Sequence, residues 1–178
     1  MYWENIEGMF NFDNIYTDVV NQFNNAEFVE IGTWKGKSAV YMAERIKLSS
    51  KNIKFHTIDL FEYSPGYGST SGSCDNEVIA NIEPVKDYIN IIKGKSYEAA
   101  NNFKDDSLDF VFIDGDHRYK GVKKDLEAWY PKIKDSGIIA GHDYTEPSCG
   151  VKMAVDSYFL FTGISINRSS WIFKKDLR

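Results

Sequence analysis

Val29-Glu30-Ile31-Gly32-Thr33-Trp34-Lys35-Gly36-Lys37-Ser38 is the stretch on which the reading of the fold turns. To its left runs an apolar segment, Glu27–Ile31 (EFVEI). To its right opens a helical pattern, Ser38–Leu48 (SAVYMAERIKL), with Val40, Tyr41, Ala43, Ile46 and Leu48 mostly on one face. Two glycines thus join a strand to a helix. Glycine at such a turn lets the backbone approach a ligand closely, and the helix start beyond it presents free N–H groups. The spacing is not the dinucleotide fingerprint GxGxxG. It is also one residue too short for the phosphate loop GxxxxGK[ST], despite Gly36-Lys37-Ser38.

Outward from this turn, similar apolar runs recur at Phe55–Leu60 (FHTIDL), Leu108–Ile113 (LDFVFI) and Ile138–Ala140 (IIA), with a weaker one at Tyr88–Ile92. Near-continuous apolar strands of this length suit a parallel sheet covered on both faces. Helical patterns lie between them at Glu77–Lys86, Tyr97–Phe103 and Tyr119–Ile133, and Asn14–Phe23 predicts a helix ahead of the first strand. Alternation of this kind predicts βαβ units with right-handed crossovers. The end of the chain reads differently: Ile164–Asn167 (ISIN), a turn at Arg168-Ser169-Ser170, then Trp171–Lys174 (WIFK) predict an antiparallel hairpin. The expected fold is a three-layer α/β sandwich around a mostly parallel seven-stranded sheet closed by that hairpin.

The 178 residues make one domain, 1–178, with a helical segment over residues 1–25. Phe61–Asp75 (FEYSPGYGSTSGSCD) is long and rich in Gly, Ser and Tyr, and is read as a candidate lid loop, 61–75. Net charge is −5 and the lysines are scattered, which argues against a nucleic-acid partner and for a small or neutral substrate. Two cysteines, Cys74 and Cys149, imply no disulfide framework. The N-terminus lacks the pattern of a signal peptide, and no apolar run approaches the roughly 20 residues of a membrane span. A cytoplasmic protein without a membrane partner is expected. A homodimer is the base-rate expectation for a soluble chain.

Two groups of residues carry the chemistry. Glu30 precedes Gly32 by two positions and would repel a pyrophosphate, but it suits a ligand with an ammonium and a sulfonium. Asp59 ends the next strand, where an acid accepts hydrogen bonds from ribose hydroxyls. Glu30, Gly32, Gly36 and Asp59 together point to an adenosine ligand with a cationic end. The second group is Ile113-Asp114-Gly115-Asp116-His117, echoed at the next strand end by Gly141-His142-Asp143-Tyr144. Carboxylates and imidazoles at neighbouring strand ends can converge on one divalent cation, with Mg²⁺, Ca²⁺ or Mn²⁺ suited to the oxygens and imidazole favouring Mn²⁺ or another transition metal. Aspartates that merely cap helices would account for one acid per loop, but not for paired acids and two histidines. His56, inside a strand, is read as a core or face residue.

At these residues the chain resembles the small class I S-adenosylmethionine-dependent methyltransferases of the Rossmann-like fold, in the family 24-like group of metal-dependent sugar and macrolide O-methyltransferases. The resemblance runs from about Glu27 to Tyr144 and is most specific in IDGDHRYKGVKKDLEAWYPKIKDSGIIAGHDY, residues 113–144. It implies that Glu30, Gly32, Thr33 and Gly36 line the methionine end of S-adenosylmethionine, that Asp59 holds the ribose, and that Ser96 lies near the adenine. It assigns Asp114 to cofactor, metal and catalysis alike, Asp114, His142 and Asp143 to a Mg²⁺ or Mn²⁺ ion, and His117 to general base. His142 stands where relatives carry an acidic ligand, and Ser136 replaces the first glycine of a Gly-Gly turn. The implied acceptor is a sugar or another hydroxylated small molecule, on which Trp34, Tyr63, Tyr67 and Tyr144 could stack. The rival readings are a nicotinamide-dependent oxidoreductase, which would want the missing glycine fingerprint, and a non-catalytic S-adenosylmethionine-binding domain.

Overall fold

The computed structural model describes residues 1–62, 73–145 and 150–176. The expected lid falls mainly on residues 63–72, outside the described residues, as do Tyr63, Tyr67 and Cys149. Seven strands form one sheet: β1 (Asn25–Ile31), β2 (Asn52–Asp59), β3 (Asn90–Lys93), β4 (Leu108–Ile113), β5 (Ile133–Gly141), β6 (Ile164–Asn167) and β7 (Ser170–Lys174). Their order is β3-β2-β1-β4-β5-β7-β6. The first five are parallel, while β7 runs antiparallel to both β5 and β6.

All six residues of β4 are buried, as a central strand covered on both faces requires. On one face pack α1 (Asp13–Gln22), α2 (Lys37–Ser49) and α3 (Asp75–Ile82), through Val19, Val40, Ile46 and Val78 against Phe28, Phe55 and Phe110. On the other pack α4 (Ser96–Ala99), α5 (Tyr119–Trp129) and α6 (Val151–Phe159), through Ala99, Leu126, Trp129 and Val155 against Val29, Val111 and Ile139. Each fully buried side chain of this size stabilises the fold by about 1.5–3 kcal/mol before entropy is counted.

Local sequence sets several boundaries. The helix predicted to reach Ile133 ends at Trp129, because Pro131 diverts Tyr130–Lys132 into a 3-10 turn and frees Ile133 to begin β5. Pro84 likewise ends α3 in a 3-10 stretch, Glu83–Tyr88, so β3 begins at Asn90 rather than Tyr88. Helix α6 went unpredicted, although Val151, Ala154, Val155 and Phe159 have helical spacing and all are buried. Ser136 takes φ +64, the left-handed conformation that glycine adopts without strain.

The strand order reverses between β1 and β4. From β1 the chain steps outward to β2 and β3, and then returns to the other side of β1 to lay down β4 and β5. A crevice opens at the C-terminal ends of strands at such a switch point. Gly32 leaves β1 here and Asp114 leaves β4. A Cβ on Gly32 would stand 2.0 Å from the Asp114 carbonyl oxygen, so only glycine lets the two strand ends lie this close.

Candidate active site

The glycine turn is held from below by hydrogen bonds. Gly32 and Gly36 have φ +92 and +88, and Gly36 stands at the N-cap of α2 with no side-chain cap. The opening N–H groups of α2 are therefore left available to an anionic ligand group. Asp59 Oδ2 accepts the main-chain N–H groups of Thr33 at 2.7 Å and Trp34 at 2.9 Å, and Oδ1 accepts that of Phe61 at 2.8 Å. One carboxylate thus ties the turn to the end of β2, while Oδ1, with a single bond among the described residues, keeps a lone pair suited to a ribose hydroxyl.

Glu30 lies beneath the turn and is 1% exposed. Its Oε2 accepts the Tyr16 hydroxyl at 2.7 Å and its Oε1 the Thr57 hydroxyl at 2.8 Å. Burial pushes its carboxyl up to about 7, against the pull of hydrogen bonds from Tyr16, Thr57 and Ser38. Tyr16 lies on α1, in sequence outside the strand-end motifs, and sequence reasoning missed it. Ser96 opens α4, and its hydroxyl accepts the indole N–H of Trp129 at 2.8 Å and bonds the buried Asp125, whose carboxyl burial pushes up to about 6. That hydroxyl is spent inside the α4–α5 contact. Trp34 holds φ +46 with its side chain partly exposed, and Gly8 packs on its ring so closely that a Cβ there would lie 2.7 Å from it.

Across the crevice, two imidazoles face the same two acids. His117 Nε2 lies 3.4 Å from Asp114 Oδ1 and its Nδ1 3.2 Å from Asp143 Oδ2. His142 Nδ1 lies 2.9 Å from Asp143 Oδ1 and 3.9 Å from Asp114 Oδ1. Asp114, His117 and Asp143 each offer a ligand atom within 4.8 Å of the others. The two histidines differ in access: the His117 side chain is 29% exposed and that of His142 only 8%. The His117 imidazole is pushed up by its bond with Asp114 and by the charges of Asp114, Asp143 and Asp116, against its burial. Burial pulls His142 down, but the bond with Asp143 and the nearby acids outweigh it. That same bond holds the Asp143 carboxyl below its usual range.

Local structure fixes this arrangement. Asp143 takes φ +55, a left-handed conformation that aspartate tolerates better than most residues. The carbonyl of His117 accepts the N–H of Gly150 at 2.7 Å, which anchors the loop after β4 to the start of α6. His142 Nε2 lies 2.8 Å from Asn11 Oδ1, and the Asn11 carbonyl accepts from Arg168 at 2.6 Å. Asp116, the second acid of the IDGDH run, turns away: Arg118 holds it through its guanidinium and main-chain N–H and lowers its carboxyl. His56 stays in β2, its Nε2 2.9 Å from Glu27 Oε1.

A reversed hairpin on a parallel sheet, with acids at the mouths of β1, β2, β4 and β5, defines the class I methyltransferase architecture. Residues 29–144 match the family model of the methyltransferase domain, and the chain belongs to that family. It is similar to an uncharacterized protein of Sinorhizobium fredii (23% identical, over 70% of this chain and 14% of the relative). It is also similar to an uncharacterized protein of Acanthamoeba polyphaga mimivirus (25%, over 75% and 59%). The chain thus spans only part of the length of these curated relatives. Among solved structures it shares the fold of the O-methyltransferase NovP, with TM-score 0.74 and 20% identity over 94% of this chain and 78% of that one. It also shares the fold of the mycinamycin-pathway methyltransferase MycE in complex with Mg, S-adenosylhomocysteine and mycinamycin VI, with TM-score 0.58 and 16% identity over 93% and 48%. No helix among the described residues is long and apolar enough to cross a membrane.

Proposed function

We propose that this domain is an S-adenosylmethionine-dependent O-methyltransferase that acts on a small hydroxylated acceptor such as a sugar. The observation that carries the reading is the pairing, across one switch-point crevice, of the glycine turn anchored by Asp59 with the cluster of Asp114, His117, His142 and Asp143. The first suits a nucleoside with a cationic end; the second suits a hydroxyl that must lose a proton. Residues over the whole of this crevice fall within the span matched by the family.

S-adenosylmethionine supplies the methyl group on a sulfonium, and transfer is an in-line displacement governed by how the acceptor oxygen is positioned. The N–H groups at the start of α2 would bind the carboxylate of the methionine end, with Glu30 as counter-charge to its ammonium, and Asp59 Oδ1 would accept from the ribose. A sugar hydroxyl is a poor nucleophile near neutral pH, so a base at the oxygen matters. His117 takes that role, because its imidazole is the one that solvent, and hence an acceptor, can reach.

The donor set fits a divalent cation, Mg²⁺ or Mn²⁺, at Asp114, Asp143 and Nδ1 of His142. The ligand atoms within 4.8 Å of one another are those of Asp114, His117 and Asp143. His142 Nδ1 borders the same acids, 2.9 Å from Asp143 Oδ1 and 3.9 Å from Asp114 Oδ1, and its Nε2 lies 2.8 Å from Asn11 Oδ1, the kind of outer partner a metal-bound histidine takes. Such a cation would supply Lewis-acid stabilisation of the alkoxide character that develops. MycE, of the same fold, is described with Mg. A homodimer and a cytoplasmic location belong to the same proposal.

The test is incubation with methyl-labelled S-adenosylmethionine and a panel of free sugars, nucleotide sugars and phenols, with Mg²⁺ and with chelator. Label in a hydroxylated acceptor supports the reading. Binding of S-adenosylhomocysteine without label in any acceptor would leave a cofactor-binding domain in its place, and binding of NADH instead would favour an oxidoreductase.

A further inference from the structure

Tyr16 stands outside every strand end that forms the crevice, yet it reaches the acid beneath the glycine turn. Its ring is fully buried and packs edge-on or tilted against Phe10, Phe12, Phe110 and Phe112. In that apolar setting its hydroxyl has one partner among the described residues, Glu30 Oε2 at 2.7 Å. The bonds continue from there. Thr57, 0% exposed in β2, donates to Glu30 Oε1 and pairs with the hydroxyl of Thr33, whose main-chain N–H donates to Asp59. Each hydroxyl carries one proton, so with Glu30 ionised the chain has one direction: Thr33 to Thr57, and Thr57 to Glu30. The two acids of the cofactor half-site are thereby joined under the turn, and α1 is joined to both.

We propose that Tyr16 is a positioning residue for the cofactor: by donating to Glu30 it fixes the carboxylate beneath the glycine turn as counter-charge to the ligand's ammonium. This rests on the reading of the crevice as an S-adenosylmethionine site. An ionised carboxylate in a buried site is costly unless donors surround it. The groups facing Glu30 are Tyr16 from α1, Ser38 from α2, Thr57 from β2 and the carboxylate of Asp114 at the end of β4. Burial comes first in holding this carboxyl near 7, and Asp114 adds to it; the three hydroxyls oppose them, with Tyr16 foremost. Tyr16 therefore helps decide whether the charge is present at neutral pH.

Isothermal titration of S-adenosylhomocysteine between pH 6 and 8.5 tests this on the wild type, Tyr16→Phe, Thr57→Val and Glu30→Gln. Tyr16→Phe keeps the ring in its aromatic pocket, and thermal unfolding without ligand checks that the fold is intact. Wild-type affinity rises with pH as Glu30 ionises. In Tyr16→Phe the midpoint of that rise moves up, so affinity falls about 5- to 10-fold at pH 7 and largely recovers at pH 8.5. Thr57→Val moves the midpoint the same way, and Glu30→Gln flattens the profile. An unmoved midpoint in both hydroxyl variants, or a loss equal at every pH, overturns the inference while leaving the cofactor reading in place. A wild type that binds no S-adenosylhomocysteine at any pH overturns both.

Discussion

The side chain of Asn11 meets Nε2 of His142 at 2.8 Å across 131 residues of sequence, and so ties the N-terminal segment to the mouth of β5. Phe12 reinforces this junction, stacked on Phe112 at 4.4 Å and tilted over His142 at 5.1 Å. The segment before the first strand is therefore part of the site's framework. Asn11→Ala leaves the second nitrogen of His142 without its acceptor and frees the ring to turn. Removing an outer partner of this kind weakens metal binding by about 10- to 100-fold. Titration with Mn²⁺, followed by electron paramagnetic resonance, should show that loss; unchanged affinity would remove His142 from the cation site.

His117→Ala should lower turnover by roughly 10²–10⁴-fold, the usual contribution of a positioned base, with little change in S-adenosylhomocysteine affinity. Its two ring nitrogens face Asp114 and Asp143, so the variant also separates the roles of the two histidines. If Mn²⁺ affinity collapses while residual turnover stays high, His117 is a ligand rather than the base.

Gly32→Ala is expected to be severe. Its Cβ would fall 2.0 Å from the Asp114 carbonyl oxygen, a main-chain atom that cannot yield, at a φ of +92 that alanine disfavours. A loss of at least about 2–3 kcal/mol in urea unfolding, together with loss of cofactor binding, is the predicted result. A variant with wild-type stability would contradict the close approach of β1 and β4 on which the crevice depends.

Glu30 makes stability depend on pH. Its folded pKa near 7 lies above the ordinary 4.5, so the folded state holds its proton more tightly than the unfolded chain. The stabilisation is complete below about 4.5 and is lost as pH rises through 7, a difference on the order of 3 kcal/mol. Glu30→Gln has no such proton to lose. Urea unfolding at pH 5 and pH 8 should show the variant gaining on the wild type as pH rises, and a constant difference would contradict this.

The mostly parallel sheet and its terminal hairpin were legible in the sequence because five apolar runs, two glycines and a closing turn each depend on neighbouring residues. The acids at the strand mouths were legible for the same reason: Glu30 and Asp59 are the penultimate residues of apolar runs, and Asp114 and Asp143 follow such runs within three residues. What escaped depends on contacts between distant residues. Tyr16 and Asn11 reach Glu30 and His142 only after the first helix packs on the sheet. Asp116 read as a partner of Asp114, but Arg118, two residues on, claims it. Ser96 likewise gives its hydroxyl to Trp129 and Asp125, which no spacing rule anticipates. Helix α6 is a different case, since the spacing of its buried Val151, Ala154, Val155 and Phe159 is present in the sequence itself.

Thermal unfolding with S-adenosylhomocysteine, with NADH and with neither, each in Mg²⁺ and in chelator, tests the central claim most directly. A ligand at 100 times its dissociation constant stabilises by about 2.7 kcal/mol, which for a domain of this size raises Tm by roughly 5–10 °C. The account predicts that shift with S-adenosylhomocysteine and none with NADH. No shift at saturating S-adenosylhomocysteine, or a shift with NADH in its place, would contradict it.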